Sequence, residues 1–437
     1  MTVSHQTSSA VVTPRLRGSL FSLIFFIAFA IRLATTAGVG FTTLHFGDSR
    51  AYLSAARQLA RTGRYPTTTD PFYFRAPGYP FFLVLTTLGR PDRVVWAKVA
   101  SVAAGSFAAP LLAALSARIF RRRRLALATG LVTAAHPSFV LQSCDIQSEA
   151  LFLPLLLAAV FLLLAAADRP SSNLAVLAGG CLGLAALTRP TSILLAPLFA
   201  APLGDRRYPF RARAHLAASA ILGLFLSVAP WLLRNALVFH AFVPISDSFG
   251  AAFYDGNSRW AMRFYDIRGR AEYDAWVSAM ETDRRRRLAA VDPEILQKPR
   301  ERSHLFISMA LEDLRRDRRE TLRLYEHKAL QWLRPYPTSW YWPSWILVLT
   351  GAYYALLELA SVLGLVRSPR LGVAFFSVGV LILSTLGHLL VVPLWRYRVP
   401  YWDPILLLFG LFGLQILIER ARLLRSSPRE GRDRLNR

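Results

Sequence analysis

The residues best equipped for chemistry are few and sit in short, recognisable runs. Asp48, in Gly47-Asp48-Ser49 with Tyr52 one helical turn on, is one of only two acids between residues 41 and 77, the other being Asp70. It stands among Arg50, Arg57, Arg61, Arg64 and Arg75. A carboxylate so placed can take a proton from an attacking hydroxyl, or it can cap the helix that follows it. Asp145 and Glu149 are spaced i, i+4, so on a helix they share one face; their alternative use is to cap that helix and complement its dipole. The arginines occur in fixed settings: Arg75 in Arg75-Ala76-Pro77-Gly78-Tyr79-Pro80, Arg189 in Thr188-Arg189-Pro190, Arg234 in Trp231-Leu232-Leu233-Arg234-Asn235, and Arg396 and Arg398 in Trp395-Arg396-Tyr397-Arg398-Val399-Pro400. A lone arginine at a helix end commonly snorkels to lipid headgroups. Several on one face beside isolated carboxylates would hold a phosphate, whose oxygens match the guanidinium fork. Pro77 and Pro80 restrict the backbone of the first loop; Tyr52, Gly78 and Tyr79 are read with Pro77 as residues that position it.

The elements that must carry these residues are membrane helices. Of 27 acidic residues, 15 fall between Asp247 and Glu326, while long apolar runs elsewhere carry none. A charge at the bilayer centre costs roughly 2.5–3.5 kcal/mol, and segregation of this kind avoids that cost. The expected fold is all-α: a polytopic transmembrane helical bundle of 10–11 spans with an extracytoplasmic helical loop subdomain. Spans are expected near 19–39, 93–119, 124–136, 149–167, 174–188, 190–203, 215–238, 343–366, 371–392 and 401–419. The first follows Arg15 and Arg17 and reads as an uncleaved signal anchor, because many spans follow it. Pro77 to Leu88 is apolar but too short to cross, so it suits an interfacial or re-entrant element.

The net charge is +25, yet its distribution excludes a nucleic-acid partner. Arg121 to Arg124, Arg206, Arg207, Arg211, Arg213, Arg367 and Arg370 occupy short loops, and seven more arginines follow Ile418. Positive residues there hold helix ends on the cytoplasmic side and meet anionic membrane lipids. With the N-terminus inside, ten crossings return the C-terminus inside and put every candidate site residue outside. Cys144 and Cys181 show neither metal-type spacing nor a disulfide framework.

Four regions follow. Residues 1–240 form an N-terminal transmembrane module with the catalytic first outer loop 41–77. Residues 241–340 form an extracytoplasmic helical subdomain, 341–419 the C-terminal transmembrane helices, and 420–437 a basic cytoplasmic tail. In the first loop, Asp48 to Thr62 has helical period, with Tyr52, Ala55, Ala56 and Leu59 on one face and Arg50, Ser54, Arg57 and Arg61 on the other; a basic amphipathic helix of this kind lies in the headgroup plane. In the subdomain, Glu272–Val291 and His304–Trp332 read as helices, with Leu305, Met309, Leu314, Leu322, Tyr325 and Leu330 as apolar contacts. Inside the spans, Glu358 is a functional candidate by its position, and His388 is read as a satisfied buried histidine.

The order Gly-Asp-Ser…Tyr, Arg-x-Pro-Gly-Tyr-Pro, Ser148-Glu149, Thr-Arg-Pro, Pro-Trp-x-x-Arg-Asn and Arg-Tyr-Arg-x-Pro resembles the GT-C integral membrane glycosyltransferases. The likeness is to the bacterial branch related to protein O-mannosyltransferases and lipid A aminoarabinose transferase. This resemblance implies transfer of a sugar from a polyprenyl-phosphate donor to a glycan, lipid or protein acceptor of the cell envelope. Transfer would occur on the outer face of a bacterial cytoplasmic membrane, with inversion at the anomeric carbon. Asp48 maps to the family's general base; Asp145 and Glu149 are second acids, and Arg75, Arg189, Arg234, Arg396 and Arg398 would hold the donor phosphate. No cofactor is demanded. A divalent metal, were one required, would take Asp48, Asp145 and Glu149 as ligands. Asp48 is followed by Ser49, so the adjacent acids of protein O-mannosyltransferases are absent, which weakens the case for a protein acceptor. A transporter or flippase for an anionic lipid-linked substrate would use the same arginines without needing Asp48, and a GT-C fold without catalysis would keep only the scaffold.

Overall fold

The computed structural model describes residues 18–68, 73–204, 207–267, 269–337 and 343–426. Asp70, Arg206 and residues 427–437 of the basic tail lie outside the described residues. Helices α1 (Gly18–Val39), α2 (Gly47–Thr62), α3 (Gly78–Thr86), α4 (Val94–Ser106), α5 (Ala108–Phe120), α6 (Arg123–Ala135), α7 (Pro137–Ser143), α8 (Glu149–Asp168) and α9 (Ser172–Thr188) lead into a 3₁₀ segment, Pro190–Gly204. Then come α10 (Phe210–Phe239), the polar-region helices α11 (Ser248–Asn257), α12 (Ala261–Phe264), α13 (Arg270–Ala289), α14 (Pro293–Gln297), α15 (Pro299–Arg316) and α16 (Arg318–Leu333), and finally α17 (Ser344–Val366), α18 (Leu371–Leu389) and α19 (Trp395–Ser426).

Among the described residues, seven helical stretches are long and apolar enough to cross a membrane: α1, α4 with α5, α8, α10, α17, α18 and α19. They account for seven of the ten expected spans. Segment 124–136 is half of a pair, α6 and α7, bent by 50°, where Pro137 begins the second helix and removes a backbone donor. This pair would make an eighth span. Segments 174–188 and 190–203 are a 17-residue α-helix and a 15-residue 3₁₀ helix. At roughly 2 Å rise per residue the latter still reaches about 30 Å, so a segment too short as an α-helix keeps nearly the depth of a bilayer core. The nine-residue α3 is only about 14 Å long and does not cross.

Small residues let the bundle close. At Gly179 of α9 a β-carbon would stand 1.8 Å from the Ala220 carbonyl oxygen, and at Gly223 of α10 one would stand 1.9 Å from that of Val176. Helix pairs in lipid gain by such backbone approach. The main core then fills with Leu112, Phe152, Leu182, Phe199, Leu357, Tyr401 and Phe409. At the basic end, Arg118 and Arg370 both bind Asp168, and Arg122 meets Glu419 2.7 Å away.

The amphipathic helix appears as α2, stopped by Gly63 with φ +67°, a left-handed stop that glycine adopts without steric cost. Its apolar side meets protein rather than lipid: Tyr52, Leu53 and Ala56 pack with Tyr79, Leu83, Ala97 and Ile146. In the polar region between α10 and α17, His304–Trp332 is two helices, because the Asp317 side chain accepts the Arg319 and Glu320 amides and caps a new start. The break shifts the helical phase. Phe306, Met309, Ala310, Leu324 and Trp332 therefore turn inward, while Leu322 and Leu330 are exposed. Two polar joints fasten the subdomain to the bundle. Asp247 pairs with Arg302 and accepts the Phe74 amide at 2.7 Å, and Lys328 donates to Asn257 and to the Leu389 carbonyl.

Candidate functional site

Helix α2 places Asp48 in its first turn, but the carboxylate does not cap the helix: the N-cap is Phe46, without a side-chain cap bond. One Asp48 oxygen is 2.9 Å from an Arg75 nitrogen, and the other is 2.5 Å from Arg396. The capping alternative is thereby replaced by a two-arginine clamp. Burial pushes the Asp48 carboxyl pKa up, but Arg396 and Arg75, with Arg189 adding, outweigh it and hold the group below the usual carboxylate range. The carboxylate is thus ionised and weakly basic as it stands.

Each partner is delivered by one of the short runs. Gly78 lies against the end of α9, where an added β-carbon would be 2.7 Å from Thr188 Oγ1 and 2.9 Å from the Leu187 backbone. Only glycine lets Arg75-to-Pro80 dock on Thr188-Arg189-Pro190, and this docking brings Arg75 and Arg189 to one place. Pro77 sets the start of α3. Buried Tyr79 bonds Ser101 at 2.6 Å and meets the Tyr52 ring edge-on at 5.0 Å, and Arg75 lies 5.2 Å from the centre of the Tyr52 ring. Arg396 is held from behind by Gln142 of α7, whose amide donates to its carbonyl at 3.0 Å, and it donates to the Tyr397 hydroxyl at 3.0 Å.

Glu149 opens α8 and binds Arg189 at 2.8 Å; Arg189 also stacks 5.1 Å from the Tyr397 ring. Asp145 departs from expectation. It precedes α8 instead of sharing its face, and it accepts the His45 and Ile146 amides at 2.8 and 2.7 Å with Lys98 at 3.8 Å. Its work is to fasten the chain entering α2. Two of the five arginines also stand elsewhere. Arg234 donates to the Tyr65 carbonyl at 2.7 Å and to Asn235, in a corner where Trp231 bonds Ile245 and Asn235 bonds Val243 and Pro244. Arg398 is fully buried, binding Glu358 at 2.7 Å and the Trp332 and Arg334 carbonyls, so Glu358 is its counter-charge. His388 bonds the Ser384 carbonyl and stacks on Trp332 at 4.8 Å.

The three acids do not converge on a metal: Asp48 and Glu149 are answered by arginines and Asp145 by Lys98 and amides. Among the described residues no group of three or more His, Cys, Asp or Glu side chains is arranged to hold one. The acids therefore do not fit a shared metal site. Sequence reasoning missed Lys98, Gln142 and Tyr397, and a buried set in which Asp403 accepts from Tyr354 at 2.6 Å with His136 3.5 Å away. Lys98 and Asp403 carried a legible signal, a charge inside an apolar run. Tyr397 stood inside the Arg396-Tyr397-Arg398 run, and Gln142 carried none.

The family model for dolichyl-phosphate-mannose-protein mannosyltransferase matches residues 75–233. A comparison with curated proteins finds no match. Among solved structures, the archaeal oligosaccharyltransferase AglB from Archaeoglobus fulgidus, in complex with an inhibitory peptide and a dolichol-phosphate, aligns with a TM-score of 0.55 at 13% identity. The alignment covers 93% of this chain and 51% of AglB, so this chain spans about half the length of that protein. ArnT from Cupriavidus metallidurans, bound to undecaprenyl phosphate, aligns with a TM-score of 0.41 at 15% identity over 93% of this chain and 78% of its own. The family-model match begins at Arg75 of the clamp and ends at the Trp231 corner, and the helical fold of the chain is similar to that of AglB.

Proposed function

We propose that the chain moves a sugar from a polyprenyl-phosphate-linked donor to a cell-envelope acceptor at the outer face of a bacterial cytoplasmic membrane, with inversion. The observation that carries this reading is the clamp: one acid, Asp48, between Arg75 and Arg396, beside the Arg189–Glu149 pair. The acceptor hydroxyl oxygen forms the new bond to the anomeric carbon while the bond from that carbon to the phosphate oxygen breaks. Asp48 takes the hydroxyl proton, and the lipid phosphate leaves with the electron pair. A phosphate needs no strong acid to leave. It needs its charge met, which Arg75, Arg396 and Arg189 do electrostatically. When the phosphate draws the guanidinium groups away from Asp48, the cause of its depressed pKa weakens, and the carboxylate becomes a better base at the moment donor is present.

Two further features support the lipid donor. A cavity of about 860 Å³ is lined by side chains such as Leu156, Val160, Leu198, Phe376 and Leu408, and it runs from Arg207 and Arg370 up to Tyr401. It suits an isoprenoid tail whose head lies at Arg189, since Tyr401 bonds Thr191, two residues on. AglB carries dolichol-phosphate on the related fold. The arginines at the opposite end, Arg118, Arg122 and Arg370, support an outward orientation.

The test is genetic. Cells lacking the gene receive wild type or Asp48→Asn at matched membrane levels, and envelope glycans are compared by mass spectrometry. Restoration of a missing sugar by wild type alone is expected, and the mass difference gives the sugar class. Full restoration by Asp48→Asn overturns the base assignment.

A further inference from the structure

Beyond the clamp, the outer subdomain contains a second polar site. A cavity of about 590 Å³ lies between α12, α13 and α16 and is lined by Trp260, Arg259, Arg263, Arg286, Thr282 and Glu320 among others. Its floor is prearranged: Trp260 donates its indole N–H to Asp283 at 2.9 Å, Arg259 binds the same carboxylate in bidentate fashion, and Trp276 donates to the Trp260 carbonyl at 2.9 Å. Asp283 is thereby neutralised. Arg263, over the Trp260 ring at 4.9 Å, and Arg286 are both exposed, and neither has a carboxylate partner among the described residues. An aromatic wall flanked by unneutralised guanidinium groups and hydroxyl-binding side chains is the chemistry that holds an acidic sugar, whose C–H face meets the ring while its anionic group takes the arginines.

Trp276 stacks with Tyr273 at 5.9 Å and packs on Phe264 at 5.4 Å, and the charge of Arg396 acts on the Tyr273 hydroxyl. Helix α13 thus carries both Tyr273, on the side that feels the clamp, and the cavity residues Thr282, Asp283 and Arg286. The ten residues from Tyr273 to Asp283 span about 15 Å. A single sugar cannot occupy the cavity and reach Asp48 together; an extended chain can.

We propose that this cavity is the acceptor subsite and that the acceptor is an oligosaccharide bearing a carboxylate or phosphate group, bound at Trp260, Arg263 and Arg286 while its other end reaches Asp48. The proposal rests on the transferase reading given above. The full chain in lipid nanodiscs, without donor, would be titrated with a uronate-bearing oligosaccharide, a phosphorylated one, the neutral chain of equal length and inorganic phosphate. Expected is binding of one or both acidic chains at least tenfold tighter than the neutral chain and than phosphate alone; whichever acidic chain binds more tightly identifies the anionic group. The double variant Arg263→Gln/Arg286→Gln, which alters only exposed side chains, should lose at least tenfold in affinity at an unchanged melting temperature. Equal binding of the neutral chain, equal binding of inorganic phosphate, or an unaffected double variant overturns the proposal. These affinities are measured without donor, so a failure of the catalytic reading would appear in transfer assays and leave them alone.

Discussion

Replacing Arg396 by glutamine separates two roles that one guanidinium plays. It holds Asp48 before the donor arrives, and on the present mechanism it holds the donor phosphate afterwards. The side chains of Asp48 and Arg396 are 24% and 30% exposed, so their pairing contributes only about 0–1 kcal/mol to folding, and the variant should remain folded. Its rate can then be read as site chemistry. One charge-assisted hydrogen bond to a phosphate contributes about 1.5–3 kcal/mol, which converts to a fall of roughly 10- to 150-fold in kcat/KM for the donor. Loss of one guanidinium also raises the pKa of Asp48 relative to the clamped state. The acid limb of the rate profile should therefore move to higher pH, since the base works only when ionised. The decisive arm is the Asp48→Asn background, itself slower by about 10²–10⁴ in kcat. The assay is release of labelled sugar from a polyprenyl-phosphate donor by purified chain in nanodiscs, with native membranes supplying acceptor. If Arg396 meets the phosphate, Arg396→Gln costs a further roughly 10-fold or more there. If it costs nothing once Asp48 is gone, Arg396 only holds the carboxylate, and the phosphate role is refuted.

Three further outcomes follow from the same geometry. Glu149→Gln should lower the melting temperature far more than Asp48→Asn, because it strands Arg189 beside a carboxylate site only 3% exposed, a loss of about 3–5 kcal/mol; Glu149→Gln with Arg189→Gln should recover part of it, and no recovery would show that the pair is not the cause. Gly78→Ala drives a methyl to 2.9 Å from the Leu187 backbone and should shift Arg75 away from Asp48, costing up to ~10²-fold in rate with the protein still in the membrane; an unchanged rate would sink the docking argument. Burial pushes the Lys328 amine down to about 7 from 10.5, so between these values the unfolded chain binds more protons and folding stability rises with pH. The melting temperature of wild type relative to Lys328→Met should therefore climb from pH 7 toward 10 and level off below 7; a flat difference would show that Lys328 is charged in the fold.

Much of the candidate site was visible before folding was considered, though unevenly. Arg75, Arg189 and Arg396 come together at Asp48, whereas Arg234 and Arg398, set in equally conspicuous runs, are taken up by carbonyls and by Glu358. Sequence cannot separate the two groups, because a guanidinium at a helix end satisfies a phosphate, a headgroup or a carbonyl equally well. Asp145 and Glu149 illustrate the same limit. Their spacing implies one helix face only if the helix has begun, and α8 starts at Glu149.

What the sequence determined by itself was the class of molecule: apolar runs long enough for a bilayer, acids collected into one region between them, arginines in the short loops. These are one-dimensional facts because the bilayer sorts residues by depth along the chain. Helix phase within a continuous segment was also legible, as in α2. Tertiary structure alone decided where continuity fails, at the bend between α6 and α7 and at the Asp317 cap, and which charges meet. Asp48 and Arg396 are 348 residues apart. Their encounter depends on Gly78 closing on α9, on Asp247 holding the Phe74 amide, and on Gln142 holding the Arg396 carbonyl. Such contacts join surfaces that no local pattern records, since the free energy that selects them comes from desolvation and packing across the whole bundle.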